Sequence, residues 1–485
     1  MFQHKYQSET LVQDSIHGYI AFASPRDDRA PGETSCERDL IDSPWTQRLR
    51  QIHQLQTAWL VYPTAEHSRF QHVLGTTRLA GRVWEALRES FYRVFDENPE
   101  LVEGDRPVPS PRCVESLLRV AALLHDVGHG PFGHFFDEHF LSRFQTPSGD
   151  RLTHETLGAE IVATELAEII SGIRRTPNGL FEPGERLEPS DVAFLIVRPK
   201  NDAADERKPF WLRMLRSLFS GLYTVDNMDF VLRDANASGF GGRPFDLDRL
   251  LHYSFFSKRG LTIHRKGAPA LERFLDARAD LFRSVYFHRT VRAIDVALAD
   301  LFRESADLLF PSGNPLDALD EYLRFTEWAL VADVASWDKS TNAKKRELAP
   351  RWRDFLERKI GWRVIAEKTI SFRIGEREEA SIFASPALFE AAFRAKAPAA
   401  LRDVPLRFDV AKHTRLPAGF ASRNFLYNPE NDAVVGLDQE DAYRQAEKSF
   451  RICRIYGRSD EARDAILETF KRLTGDGSGD DLTNM

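Results

Sequence analysis

The residues of this 485-residue chain best suited to chemistry are His72, the adjacent pair His125 and Asp126, and the distant Asp226. Two imidazoles and two carboxylates make a mixed nitrogen and oxygen donor set, which suits a divalent transition ion better than a thiolate site would. The chemistry open to such a set is metal-assisted hydrolysis. The adjacent pair stands where an apolar stripe, Val114, Leu117, Leu118, Ala121 and Leu124, runs into the glycine-punctuated segment His125-Asp126-Val127-Gly128-His129-Gly130-Pro131. Neighbouring side chains on a regular helix diverge by about 100°, so both reach one ion only if the helix end distorts at Gly128. A His-Asp dipeptide alone is weak evidence, but His129, His134, Asp137 and His139 crowd close behind it. Imidazoles transfer protons near neutral pH, and Asp137, three residues after His134, is placed to orient its ring. The bland alternative is that His134 and His139 pack against the neighbouring aromatic cluster.

The elements that must position these groups read as mainly helical. Apolar residues recur at three and four positions from Ser43 to about Glu97, Cys113 to Phe144, His154 to Ile173, Pro209 to Asn236 and Ala268 to Leu309. The last stripe includes Leu271, Leu275, Leu281, Val285 and Phe287. Residues 11–22, LVQDSIHGYIAF, read as a strand and turn pair with Gly18 at the tight turn. Loop candidates, rich in Pro, Gly or charge, are Ser24 to Glu37, Asn98 to Arg112, Arg174 to Ser190 and Arg198 to Arg207. In the C-terminal third, WRVIAEKTISFRI, PLRFDVAKHTRL and NFLYNPENDAVVGL carry β-branched and aromatic alternation between turn residues. The expected fold is mostly α, a helical core with a smaller C-terminal α+β lobe. Its divisions are an N-terminal strand and turn segment over 1–39, the core over 40–335, the lobe over 336–473 and a disordered tail over 474–485.

Composition narrows the function classes. At 42% hydrophobic, 29% charged and 11% aromatic residues, with 35 Phe, the chain has the makeup of a globular protein with a large packed interior. A net charge of −7 argues against a basic nucleic-acid coat and favours small ligands. Three widely spaced cysteines, Cys36, Cys113 and Cys453, support neither a disulfide framework nor a zinc ribbon and fit a reducing compartment. No apolar leader and no run of 18 uncharged apolar residues occurs, so a cytoplasmic protein with no membrane span is expected.

Several segments, taken in order, resemble the HD-domain superfamily and, within it, the deoxynucleoside triphosphate triphosphohydrolases. They are Asp14-Ser15-Ile16-His17-Gly18, Gln47-Arg48-Leu49-Arg50 with Gln54-Leu55, the segment from His67 to Gly75, His125 to Asp137, Thr153-His154-Glu155, and Asp226 to Asp234. The similarity runs on through Tyr286-Phe287-His288 and weakly into FLYNPENDAVVGL and FRICRIYGR, so it covers most of the chain. The resemblance implies that His72, His125, Asp126 and Asp226 hold a divalent transition metal, whether Fe, Mn, Co, Ni or Zn, with Mg as a candidate second ion. It further implies that His129, His134, Asp137 and His154 surround the scissile phosphate, with His134 as proton donor. Arg69 would hold phosphate charge, Gln54 and Leu55 would line the sugar and base pocket, Asp234 would contact the 3′-hydroxyl, and Tyr286 would close the sugar face.

The chain departs from the vertebrate members of this family at two positions, with Asn227 in place of a phosphate-binding Lys and Phe230 in place of a sugar-contacting Tyr. A neutral hydrogen bond lost at Phe230 is worth roughly 0.5–1.5 kcal/mol, and a charged one lost at Asn227 about 1.5–3 kcal/mol. Arg283, Arg289 and Arg292 are the candidates to replace that charge. The expected activity is metal-dependent hydrolysis of deoxynucleoside triphosphates to deoxynucleoside and inorganic triphosphate. Its rivals are another HD-type phosphohydrolase, a nucleotidase or single-strand nuclease, and a nucleotide-sensing regulatory protein with little turnover. Implied partners are a nucleotide substrate, further copies of the chain in a dimer, tetramer or hexamer, and a nucleotide activator; nucleic acid is not favoured.

Overall fold

The computed structural model describes residues 9–25, 29–102, 106–198, 203–417, 423–440, 443 and 447–475. Beyond Gly475 the expected tail lies outside the described residues. The chain opens on an antiparallel hairpin, β1 (Glu9–Asp14) and β2 (Gly18–Ala23), closed in register by Asp14 opposite Gly18. Asp14 builds the turn by accepting from the backbone N–H groups of Ile16 and His17 at 2.9 and 2.8 Å, and Gly18 takes φ 68°.

The fold is mostly α. Its centre is a pair of helices, α1 (Arg69–Glu97) and α2 (Pro111–Leu124). The former turns Phe70, Val73, Val83, Trp84, Leu87 and Phe91 inward. The latter is capped by Ser110 with Pro111 in its first turn and is buried on nearly every face from Cys113 to Leu124, as expected for an apolar helix in the middle of a large core. Four more helices complete the framework of the site: α3 (His134–His139), α4 (His154–Ala163), α5 (Val225–Ala237) and α6 (Ala268–Leu281). A π-helical turn over Phe282–Tyr286 leads from α6 into α7 (Arg289–Leu309).

The stretch from Ser43 to Glu97, expected as continuous helical periodicity, is broken. Only Pro44–Gln47 and the single turns Arg48–Gln51 and Ala58–Leu60 are helical before α1 begins. The backbone at 52–54 pairs with 67–69 instead, through Gln54 N–H to His67 O at 3.0 Å and Arg69 N–H to Ile52 O at 2.9 Å. Gln56 adopts φ 55° in the intervening loop. Local periodicity loses here to a tertiary pairing that fixes where α1 starts.

Two sheets flank the helices. In one, β3 (Ser254–Ser257) and β4 (Gly260–His264) form a hairpin, and β7 (Phe425–Asn428) lies parallel to β4 with Thr262 opposite Phe425. An outer strand, β8 (Ala433–Gly436), completes the order β8-β7-β4-β3. Residues 425–436, which the sequence reading placed in the C-terminal lobe, thus extend a sheet that packs on α1, where Phe256 meets Phe91 at a ring separation of 5.5 Å. The second sheet has β9 (Glu447–Gly457) between β5 (Arg363–Arg373) and β6 (Leu406–Thr414), all antiparallel. Helices α8 (Pro386–Lys396) and α9 (Arg463–Thr474) cover it, and Phe389, Phe393, Phe408, Ile455 and Phe470 form a core of their own. Among the described residues no helix is long and apolar enough to cross a membrane, and the three cysteines are buried and unpaired.

Candidate metal centre

His72 lies one turn into α1 and is fully buried. Its Nδ1 donates to Asp229 Oδ2 at 2.7 Å, which leaves the lone pair of Nε2 facing inward. At the end of α2, His125 donates from Nδ1 to the carbonyl of Ala122 at 2.8 Å, and its Nε2 points at that of His72, 3.2 Å away. Two Nε2 atoms this close need a proton or a metal cation between them. The carboxylates close the ring. Asp226 Oδ1 stands 3.1 Å from His72 Nε2 and 3.7 Å from His125 Nε2, and Asp126 approaches the same imidazoles at 3.9 and 3.4 Å. Ligand bonds of about 2.0–2.2 Å to one ion place neighbouring donors roughly 3–3.5 Å apart, so the donor set fits a divalent transition metal. Burial works against a charge on His72, yet Asp226, Asp229 and Asp126 push its pKa up to about 10; the same negative field favours a cation at Nε2.

Each ligand is placed by a local feature. Helix α2 ends at Leu124, and the chain turns through Val127 N–H to Leu124 O at 3.1 Å and His129 N–H to Asp126 O at 3.0 Å, so His125 and Asp126 leave the helical spiral together. Gly128 permits the close approach of α4, since a Cβ there would lie 2.1 Å from the carbonyl of His154 and 2.5 Å from the amide of Gly158. Arg48 clamps the turn from the other side, donating to His129 O at 2.6 Å and Phe325 O at 2.9 Å. At the start of α5, Thr224 caps the helix by accepting from Asn227 N–H at 3.0 Å, which sets Asp226 in the first turn where the helix dipole favours a negative charge.

A second cluster adjoins the first. His129 and His154 stack with ring centroids 3.7 Å apart, and Asp137 accepts a short hydrogen bond from His154 Nδ1. His134 Nδ1 stands 3.5 Å from the same Asp137 oxygen, with its side chain largely open to solvent. Asp137 therefore contacts His134, as expected from the sequence, and also bonds His154, the closer of the two, which was not expected. Burial, then the neighbouring Arg69 and His154, hold the His129 pKa well below the usual imidazole range. Nδ1 of His129 and Oδ1 of Asp137 are buried without a hydrogen-bond partner, and His129 Nε2 stands 3.4 Å from Asp126 Oδ1. Arg69 donates to Asp126 Oδ2 at 2.6 Å, so it holds a ligand in place as well as lining that space.

A family model for the HD domain matches residues 69–194, the span that carries Arg69, His72, His125, Asp126, His129, His134, Asp137 and His154 but not Asp226. An uncharacterized Bacillus subtilis protein, YwfO, is 27% identical over 369 residues, which cover 73% of this chain and 72% of that one. The deoxynucleoside triphosphate triphosphohydrolase SAMHD1 of Gallus gallus is 31% identical over 293 residues, 56% of this chain and 43% of that enzyme. Its Homo sapiens counterpart is 27% identical over 354 residues, 68% and 51% of the two chains. This chain thus spans about half the length of the vertebrate enzymes it matches. Residues 69–194 of the chain thus carry an HD domain. A crystal structure of a hypothetical protein from Aquifex aeolicus shares the fold at TM-score 0.64 and 22% identity, covering 96% of this chain and 100% of that one. The HD-domain match and the convergent His and Asp donors together support a metal-dependent phosphohydrolase.

The rest of the HD-domain site follows helix α5. Asp226, Phe230 and Asp234 recur at four-residue steps and share one face. Asp234 is buried, accepting from His67 Nε2 at 2.8 Å and from the Tyr286 hydroxyl at 2.6 Å. Phe230 faces Tyr286 with ring centroids 6.5 Å apart. Leu55 is buried, and Gln54 carries a buried side-chain oxygen without a partner. Asn227 opens onto a cavity of about 420 Å³ that is also lined by Asp226, Arg278 and Arg423. The cations first considered for the Asn227 position are engaged or turned elsewhere: Arg283 meets Glu447, Arg292 forks onto Asp409, and Arg289 lines a different cavity.

Sequence reasoning did not single out Arg278, Asp229, Arg233, Arg48 or His67. For Arg278 the signal was present, because it continues the apolar stripe Leu271, Leu275 at the next helical step. It is buried, among the described residues bonds the carbonyls of Leu222 and Thr414, and leaves Nε without a partner there. Burial lowers its pKa to about 10. Asp229 and Arg233 had no such signal, since a charged pair four residues apart normally reads as a solvated helix face.

Proposed function

We propose that this HD-domain protein hydrolyses deoxynucleoside triphosphates, releasing the deoxynucleoside and inorganic triphosphate. The observation that carries the reading is the cavity beside Asp226. It joins a metal donor set to a buried guanidinium, Arg278, that has no carboxylate partner among the described residues and faces the space of about 420 Å³ where a polyphosphate chain would lie. Charge-assisted contacts from such a group are well suited to phosphate oxygens. Arg278 and Arg423 would supply the cation that Asn227 lacks.

A divalent ion held by His72, His125, Asp126 and Asp226 would supply a polarised water and neutralise charge on the α-phosphate. The chain's own residues do the rest. Arg69 keeps Asp126 aimed at the donor ring. Neutral His129, with an unused ring nitrogen, offers an N–H to a phosphate oxygen. Asp137 fixes His154, and the exposed His134 protonates the departing 5′ oxygen. On the sugar side, Asp234 has lone pairs remaining beyond the two it commits to His67 and Tyr286, and these accept from a 3′-hydroxyl. Tyr286 stands against the sugar face, and its close approach disfavours a 2′-hydroxyl.

The test is a product assay with each dNTP and NTP, separating triphosphate from pyrophosphate and monophosphate. Inorganic triphosphate from deoxy substrates is the expected product. Nucleoside monophosphate as the sole product would reject attack with loss of the 5′ oxygen, and release from ribonucleotides at equal rates would reject the role of Tyr286.

A further inference from the structure

A cavity of about 730 Å³ opens where α1 and α2 run side by side, away from the metal centre. Its size is that of a small-molecule site, roughly 300–1,000 Å³. Arg78, Arg82 and Arg88 enter it from α1, and Arg112 and Arg119 from α2. Four of these five cations are matched. Arg88 pairs with Glu85 at 2.9 Å, Arg82 with Asp248 at 2.5 Å and Arg112 with Glu115 at 3.0 Å. Arg119 forks onto Glu37 at 2.5 and 2.9 Å.

Arg78 is the exception. Its Nε is buried without a hydrogen-bond partner, and no carboxylate among the described residues pairs with it. Its charged neighbours are Arg119 and Arg82; burial first, then their repulsion, lowers its pKa. Such a group sits at a cost unless an anion completes it. Gly81 keeps the space between Arg78 and Arg119 open, since a Cβ there would stand 3.1 Å from Arg119 Nη1. Converging guanidinium forks suit the oxygens of a tetrahedral anion.

We propose that this cavity is a second anion site that takes a phosphate-bearing small molecule, with Arg78 as its central contact. The site is independent of the substrate reading above. Arg78 lies six residues beyond His72 on α1, and Arg119 six before His125 on α2. An anion here would brace the two helices that carry three of the four metal donors.

Equilibrium dialysis of the full chain carrying Asp226→Asn, which disables the metal centre, tests this with three labelled probes: orthophosphate, inorganic triphosphate and dATP. The expected result is anion binding in which one site per chain is weakened about tenfold or more when Arg78→Ala is added, as for the loss of a charged hydrogen bond. Preference for either inorganic probe assigns an inorganic anion, and preference for dATP assigns a nucleotide. The Arg78→Ala chain should melt no lower than its parent without anion, because it loses an unpaired charge; if it does melt lower, Arg78→Gln repeats the comparison. Failure of all three probes to bind, or binding that neither Arg78 variant changes, overturns the site whatever the outcome of the product assay.

Discussion

Asp229 reaches past the metal centre to hold His72 from behind, with Oδ2 on Nδ1 at 2.7 Å. Its other oxygen accepts from His17 Nε2 at 2.6 Å, and Arg233 forks onto both at 2.9 and 3.0 Å before continuing to Asp14 at 2.9 Å. The hairpin turn at the start of the chain is thereby tied to the first imidazole of the site. Asp229→Asn should weaken metal binding by about 10- to 100-fold, as loss of a partner behind a ligating imidazole does. Metal retention against a graded chelator measures this, and unchanged retention would remove Asp229 from the support of the site.

His125→Ala and Asp126→Ala should each abolish both bound metal and turnover. Asp126→Ala also leaves the buried Arg69 without its acid, so a stability loss of ~3–5 kcal/mol is expected, read from denaturant melts. His134→Ala, by contrast, should keep the metal and lose rate by roughly 10²–10⁴. Elemental analysis beside kcat separates these outcomes, and a His134→Ala enzyme of normal rate would show that another group protonates the leaving oxygen.

Burial disfavours a charge on His154, but the carboxylate of Asp137 and its hydrogen bond more than offset this and raise the His154 pKa. A raised imidazole stays protonated up to its folded pKa and loses the proton above it. Asp137→Asn removes the raising charge, so the alkaline limb of the rate profile should move to lower pH. A limb that stays in place would separate His154 from the rate-determining proton.

Burial, then Arg278, Arg283 and Arg415, lower the pKa of His413 to about 3, where it stacks on Phe282 at 4.1 Å. The unfolded chain takes up this proton near its ordinary pKa of about 6.5 while the folded chain does not. His413 therefore costs no stability above that pH, and stability falls as pH drops from about 6.5 toward 3, by an amount on the order of a few kcal/mol. His413→Phe keeps the stack and should flatten this slope in melting curves recorded across that range. An unchanged slope would place the acid sensitivity elsewhere.

Gly128→Ala should disorder the contact between the ligand turn and α4, because the added carbon meets backbone rather than a movable side chain. The expected signature is a lowered melting temperature with activity reduced more than metal content, since His154 is the residue displaced. Full activity in this variant would mean that the helices tolerate separation.

Much of the site was legible because its chemistry is written in residue types that rarely cluster by chance. His125, Asp126, His129, His134 and Asp137 lie within thirteen positions, and the structure sorts them into two groups, one with His72 and one with His154, with Asp226 against the first. What sequence alone did not yield were contacts decided by tertiary placement. Asp137 bonds His154 as well as meeting the nearer-in-sequence His134, because Thr153 caps α4 and so sets His154 beside it. Arg48 belongs to a motif that was recognised, yet its task of bonding the carbonyls of a remote turn leaves no pattern in the chain. The helical reading of 43–68 failed for a related reason, since apolar residues at helical spacing there face a core built by other elements.

Strand β7 pairs with β4 across more than 160 positions of chain, and the residue just before it, Asn424, accepts from the amide of Leu222 at 2.9 Å, two positions ahead of the cap of α5. All four candidate metal donors lie before residue 360. The segment that seals the β4 edge and steadies the approach to Asp226 lies after it. The approach to the candidate metal centre is therefore built from both ends of the chain, with donors supplied early in the sequence and one edge of their support supplied late.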